Sequence, residues 1–448
     1  MPYILPTDAL LWLLVAVAAA YAAYCRRRAH LAVPWRRVFQ SPAAMASSVV
    51  LCAFLAIGLA DSLHFRPQLA QKGGEPAAYS TEILSLLDVG LARLRGRSEK
   101  TYSAPLATRS YAKEQVELPD GRQARDFPRL RFGGANLKDE ADRDADVARR
   151  ALAGFGVSIL LCFAVLLAVK RLRRDTPDIP WQAAGAALAA LLLLAGPAVA
   201  LSGAYHVLGT DKVGQDVFYL ALKSIRTSLV IGTLTTLVLL PVGIALGTMA
   251  GYFRGWVDDV IQYFYTTLNS IPGVLLIAAA VLMLQVVLDR HAEWFSLAAQ
   301  RADVRLLVLC AILGLTSWTG LARLLRGETL KLSQLEYIQA ARAFGVRDAR
   351  ILARHILPNV SHIVIIAMVM DFSGLVLAEA VLSYVGVGVD PSTNSFGTMI
   401  NAARLEMSRE PVVWWALATA FSFMLALVLA ANLFADAARD GFDPRVRV

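Results

Sequence analysis

Apolar residues in this chain come in long runs, separated by short polar stretches, rather than at the spacing of a half-buried surface. Nine runs fall near residues 8–24, 43–60, 152–169, 183–203, 226–251, 273–288, 305–323, 360–380 and 412–434. Each is close to the roughly 20 residues that cross a hydrocarbon core as a helix. The pattern predicts an all-α polytopic membrane protein with about nine transmembrane helices.

Polar residues fix the direction of threading. Arg26, Arg27, Arg28, Arg36 and Arg37 follow the first run, and Lys170, Arg171, Arg173 and Arg174 follow the third. Arg342, Arg347, Arg350 and Arg354 lie between the seventh and eighth. If every run crosses once, these loops share one side, which the bias towards basic cytoplasmic loops makes the cytoplasm. The N-terminus is then outside and the C-terminus cytoplasmic. With no basic residue before the first run and three arginines after it, that run reads as a retained anchor rather than a cleaved signal.

Residues 61–150 form the one sizeable polar block and fall outside. Loops this long escape the charge bias, so their arginines do not contradict the threading. Within the block, STEILSLLDVGLARLRG has helical spacing, with Ile83, Leu84, Leu87, Leu91 and Leu94 on one side. Pro119-Asp120-Gly121 is a turn signal between two extended pieces, QVEL and RQARDF, and Asn136 is a candidate cap for a helix running into the third span.

The stretch SQLEYIQAARAFGVRDARILARHILPN, residues 333–359, breaks the greasy pattern. Ser333 and Glu336 have capping-box spacing, predicting a helix from Gln334. Leu335, Ile338 and Ala341 share one side, with Tyr337, Ala340 and Phe344 beside them. Gly345 can take the left-handed turn that ends a helix, and a second basic helix then runs to Pro358. A helix of about eleven residues does not persist alone in water, and this face is too apolar for a solvated loop. Two readings fit: a helix docked in the groove of a cytoplasmic partner, or one lying on the bilayer surface.

Composition narrows the chemistry. Of 448 residues, 57% are hydrophobic and 18% charged, and mean hydropathy is +0.53. The net charge of +9 is accounted for by arginines flanking the spans, and no basic stripe with interleaved aromatics points to nucleic acid. Cys25, Cys52, Cys162 and Cys310 form no CxxC pair and the histidines are scattered, so no disulfide frame and no metal site is supported. No Gly-Lys pair exists, hence no phosphate-binding GxxxxGK[ST] loop. Asp371, within AMVMDFSGL, is the one ionisable residue clearly placed at mid-span. A carboxylate there costs about 3 kcal/mol on insertion scales and usually faces protein or water. It either lines a pathway or bonds a structural partner such as Ser373.

Four ordered segments carry a family resemblance. LEYIQAARAFGVRDARILARHILPN resembles the EAA loop of ABC-importer permeases, in the form of the oligopeptide/dipeptide/nickel branch. LGTDKVGQDV at 208–217 resembles that branch's GTDxxGRDV segment, the mark of its second-permease type. AEAVLSYVGVGVDPSTNSFG at 378–397 and ANLFADAARDGFDPR at 431–445 resemble two further segments. Gln339, Gln215, Phe396 and Tyr384 depart from the usual Glu, Arg, Trp and Phe.

The resemblance implies a type I ABC importer transmembrane domain: a permease subunit of a binding-protein-dependent importer, without enzymatic activity. It would pair with a second homologous permease, two ABC ATPase subunits holding ATP and Mg, and an extracytoplasmic substrate-binding protein, with lipid around it. Glu336, Tyr337, Ala340, Ala341, Phe344 and Gly345 would couple to the ATPase, breaking the tie in favour of docking. Gly209, Thr210, Asp211, Gly214 and Asp216 would form an outer elbow, with Thr210 and Asp211 satisfying turn amides and Asp216 capping the next helix. Asp371 is the pathway candidate. Peptide is favoured over nickel as cargo because soft and imidazole ligands are sparse in the spans. A membrane receptor with 61–150 as sensor and a secondary transporter are the rivals.

The expected organisation is an added helix and basic loop at 1–42, a first core-type span at 43–60 and an extracytoplasmic insertion at 61–150. Two added spans follow at 151–203, then a core permease domain at 204–448 with its coupling loop at 324–359. The insertion reads equally as a lid or extra docking surface and as a passive elaboration.

Overall fold

The computed structural model describes residues 1–68, 79–117, 123–176, 178–295 and 297–442. In chain order, helices α1 (Pro6–Arg26), α2 (Ala29–Gln40) and α3 (Pro42–Asp61) come first. The polar block follows, with β1 (His64–Phe65), β2 (Leu84–Ser85), α4 (Leu86–Gly90), α5 (Ala92–Arg95), β3 (Glu114–Glu117) and β4 (Gln123–Asp126). Next are α6 (Arg143–Asp175), α7 (Trp181–Ser202), α8 (Val217–Phe253), α9 (Gly255–Ser270), α10 (Gly273–Arg290), α11 (Ala298–Ser317) and α12 (Thr319–Leu332). The chain ends with α13 (Glu336–Ala343), α14 (Asp348–Ile351), α15 (Leu357–Val385), α16 (Phe396–Arg404) and α17 (Trp415–Phe442). Among the described residues, nine helices are long and apolar enough to cross a membrane, one for each apolar run. The chain is a multi-pass membrane protein.

Contacts divide the chain into two compact units. The first comprises Met1–Ile4, Phe39–Ser228 and Pro391–Ala430. In it α6 and α7 form an antiparallel pair, in which the Ser158 hydroxyl donates to the Leu192 carbonyl at 2.7 Å, and α3 packs on α7. Leu201, Ala204 and Tyr205 anchor the C-terminal end of α7 in a small core with Leu106, Leu137, Val147 and Ala151.

The polar block folds around these helices, and two expectations are corrected there. The helix foreseen over 80–96 begins only at Leu86, because Leu84 and Ser85 pair antiparallel with Phe65 and His64. Ser85 then caps α4, its hydroxyl accepting from the Asp88 amide at 3.1 Å while the Asp88 carboxylate accepts from the Ser85 amide at 2.9 Å. Asn136 caps no helix: its amide donates to Asp146 at 3.0 Å, and Asp139 caps the turn leading into α6. The two extended pieces pair as β3 and β4, while the Pro119-Asp120-Gly121 turn lies outside the described residues.

The second unit comprises Leu5–Val38, Leu229–Asp390 and Ala431–Val448. Here α1 packs along α11, and Asp303 caps it from outside: the Thr7 amide donates to Asp303 Oδ2 at 3.0 Å and the Thr7 hydroxyl donates to Oδ1. The core at its other end gathers Leu239, Tyr252, Trp318, Leu321, Leu325, Ile338, Ile351, Ile356, Val360 and Ala367. Helical geometry runs on from α14 through a π turn at Leu352–Ile356 into α15, instead of stopping at Pro358. Pro358 has no N–H for the Arg354 carbonyl, and the wider π spacing just before it keeps the ladder going.

Candidate functional site

The coupling candidates sit on α13, a two-turn helix with a firm stop. Phe344 is the C-cap, and Gly345 takes φ +73°. The Val346 amide reaches the Ala341 carbonyl at 3.1 Å and the Gly345 amide the Arg342 carbonyl at 3.0 Å. These two bonds are a complete Schellman closure, and left-handed φ makes glycine the residue for it. The helix start differs from the expected capping box. Ser333 is already helical, at φ −64° and ψ −14°, because it closes α12. Its hydroxyl bonds the Leu330 carbonyl and accepts from Arg254. Leu335 is the N-cap without a side-chain bond, and Glu336 sits in the first turn, where a negative charge suits the helix dipole.

α13 has an inner and an outer face. Ile338 is 1% exposed and belongs to the core of its unit, with Ala341 half-buried against it. Tyr337 and Phe344 are 46% and 87% exposed, and Glu336, Ala340 and Gly345 are exposed with them. Tyr252 ties the loop to α8: its hydroxyl donates to Asp348 at 2.6 Å and its ring lies 4.6 Å below the Arg342 guanidinium. Arg326 of α12 grips Asp258 of α9 with two bonds of 2.6 Å. Tyr337 is positioned from the side by Asn359, which donates to its hydroxyl at 3.2 Å. An exposed Tyr-Ala-Phe stripe on so rigid a base has the form of a docking surface.

Asp211 and Asp216 bond as local chemistry predicts, whereas Thr210 satisfies no amide of its own turn among the described residues and reaches instead to Thr101 and Ser103 of the polar block. Asp211 accepts from the Val213 and Gln215 amides at 3.0 and 2.7 Å. Asp216 caps α8, accepting from the Phe218 amide at 2.9 Å. Gly209 and Gly214 have φ +74° and +76°, and a Cβ on Gly214 would stand 1.9 Å from the Glu99 carbonyl oxygen. The elbow does not lie on the surface: Thr210 is fully buried and Asp216 is 1% exposed. The polar block covers it. Thr210 Oγ1 accepts from the Ser103 amide at 2.6 Å and donates to the Thr101 carbonyl at 2.9 Å, while Trp415 donates to the Thr210 carbonyl at 2.9 Å.

Two residues that local spacing does not reveal complete this site. His206, 2% exposed, faces Asp216 Oδ2 through Nδ1 at 2.8 Å and Glu99 Oε1 through Nε2 at 3.4 Å. Glu99 also accepts from the amides of Arg131, Phe132 and Gly133 at 2.9, 2.7 and 3.0 Å. Burial lowers the histidine's affinity for a proton, but the bonds to Asp216 and Glu99 outweigh it and push the pKa up to about 9. Burial raises Glu99, yet His206 and the three amides bring it down to about 2. A second cluster lies nearby in the same unit: Lys223 of α8 meets Asp61 at 2.6 Å and Asp88 at 3.1 Å. Burial raises the Asp88 pKa, and the Lys223 charge with the Ser85 amide more than reverses this.

Asp371 lies half-buried on α15, with no hydrogen-bond or ion-pair partner among the described residues. Ser373 is not its partner: the Ser373 hydroxyl donates to Asn432 Oδ1 of α17 at 2.6 Å. Among the described residues no three His, Cys, Asp or Glu side chains gather to hold a metal ion.

Comparison with known proteins follows the same lines. Residues 243–448, which hold α13 and Asp371, match the family model described as binding-protein-dependent transport system inner membrane component. The chain is 36% identical over 242 residues to the glutathione transport system permease protein GsiD of Pectobacterium atrosepticum, covering 54% of this chain and 73% of that one. It is 31% identical over 300 residues to the oligopeptide transport system permease protein OppC of Mycobacterium tuberculosis, covering 63% of this chain and 94% of the relative. With the dipeptide transport system permease protein DppC of Bacillus subtilis the identity is 29% over 246 residues, 54% of this chain and 69% of that one.

Proposed function

This chain is a member of the binding-protein-dependent transport inner membrane component family, and from that premise we propose that it forms half of the translocation pathway of an ATP-driven importer of peptides. The relatives above are named for glutathione, oligopeptide and dipeptide transport, which supports peptide over nickel as cargo. A second homologous permease completes the pathway. Two ATPase subunits carry the ATP and Mg that this chain does not bind, and a substrate-binding protein delivers cargo at the outer mouth. The N-terminus faces outward and the C-terminus the cytoplasm, following the basic loops.

α13 is the handle in this scheme. A partner ATPase grips Tyr337, Ala340 and Phe344, and the load passes inward through Ile338. The core behind Ile338 joins residues of α8, α12 and α15, so a push on α13 moves these helices together. Asp371 on α15 then faces the pathway and receives the amino group of the peptide.

The exposed stripe on a rigidly capped helix is the observation that carries this reading. It is tested by placing a photoreactive side chain at Ala340 and, separately, by Phe344→Ala. Crosslinks should reach the ATPase, and Phe344→Ala should uncouple peptide uptake from ATP turnover at unchanged permease levels. Crosslinks to lipid alone, or full uptake in the variant, would overturn the coupling role.

A further inference from the structure

The insertion holds a cleft of about 320 Å³ beside the elbow, lined by Ser98, Thr101 and Ser110 and by the charged side chains of Lys100, Arg129 and Arg131. Its size is at the lower end of small-ligand sites, enough for one or two residues of an extended chain. Its charge is uneven. Lys100 pairs with Glu114 at 2.6 Å but is 81% exposed, and Arg129 donates to the Leu137 carbonyl at 3.3 Å and has a loose 3.7 Å approach to Glu140. Arg131 is exposed, stacks on Phe132 at 5.2 Å and has no carboxylate partner among the described residues. The other lining carboxylate, Glu99, is engaged by His206 and three amides. That grip also fixes the backbone at 131–133, so Arg131 stands on a rigid base.

We propose that this cleft binds the C-terminal carboxylate of a short peptide, with Arg131 as the principal partner and Arg129 and Lys100 closing around it. The guanidinium presents a planar fork that matches a carboxylate, and the hydroxyls of Ser98 and Thr101 line the space where the last peptide group lies. The insertion then holds cargo by its end beside the elbow. This rests on the peptide-importer reading for the identity of the ligand, while the chemistry it names is the carboxylate.

The test is calorimetric titration of the full chain in nanodiscs with trialanine and with trialanine amide. Trialanine should bind, and the amide should bind roughly ten- to a hundredfold more weakly, the size expected for a lost charge-assisted contact. Arg131→Ala should weaken trialanine by a similar factor and abolish the discrimination between the two. Arg131→Lys should recover part of the affinity but not the full effect, since it keeps charge without the fork. Equal affinity for both peptides, no binding of either, or indifference to Arg131→Ala would overturn the site. Uptake of trialanine by the assembled wild-type importer, measured in parallel, keeps the two readings apart. Intact uptake without carboxylate-dependent binding rejects the cleft alone.

Discussion

Burial and two carboxylates act on His206 in opposite directions, and the carboxylates win. The consequence has a definite sign. A histidine whose pKa rises from 6.5 unfolded to about 9 folded adds stability that is fully present below about pH 6.5 and is lost as pH climbs through 9. Glu99, lowered from 4.5 to about 2, adds stability present above pH 4.5 and lost as pH falls through 2. The purified chain should therefore melt highest between about pH 4.5 and 6.5 and progressively lower towards pH 9. His206→Ala should flatten that alkaline decline and cost roughly 3–5 kcal/mol at pH 6, because it strands two buried carboxylates. A wild-type melting temperature that stays level from pH 6.5 to 9.5 would remove His206 from this role. The two halves of the cluster were unequally legible in the sequence. Asp211 and Asp216 bond amides two to four residues away, so their spacing announces them. Glu99 meets His206 across 107 residues, and no local pattern joins them.

Helix boundaries show the same limit at the next scale. The apolar side of α13 and its glycine stop were both readable, since periodicity and left-handed φ are local properties. Its start was not. A capping box needs its serine in an extended conformation, and Ser333 is consumed in closing α12. The sequence places the end of the basic helix and the start of the next span at Pro358; the π turn at Leu352–Ile356 that joins them has no local signature. α15 also carries the pathway candidate. Removing the Ser373 partnership leaves Asp371 with the cost of a half-buried carboxylate and no bond among the described residues to offset it. Asp371→Asn keeps the shape and removes the charge, so the permease should accumulate normally or slightly better. Peptide uptake should fall about tenfold if the carboxylate receives the amino group, the loss expected for one charge-assisted bond. Unchanged uptake by a correctly assembled variant would return Asp371 to the status of a tolerated polar residue.

At the scale of the whole molecule, the nine spans found among the described residues were legible because bilayer thickness sets their length, independent of what they pack against. The docking of α1 on α11 through Asp303 and the closure of the insertion over the elbow were not, since both depend on contacts between distant segments. These contacts decide whether the insertion is passive. Two cations in the first unit, Lys223 and His206, find carboxylates on the insertion, Asp88 and Glu99, and the Ser103 amide satisfies buried Thr210. Replacing residues 86–136 with a short Gly-Ser linker would take one of two carboxylates from each cation, leaving Lys223 with Asp61 and His206 with Asp216, and would strip the buried Thr210 hydroxyl of its partners at Thr101 and Ser103, each loss a cost of about 1–3 kcal/mol. The excised chain should fail to yield monodisperse protein in detergent. Adding Thr210→Val to the same excision should recover part of the folded yield, because the buried hydroxyl that loses Thr101 and Ser103 is then gone. An excised chain that folds as well as the full one, without that substitution, would make the insertion a passive elaboration after all.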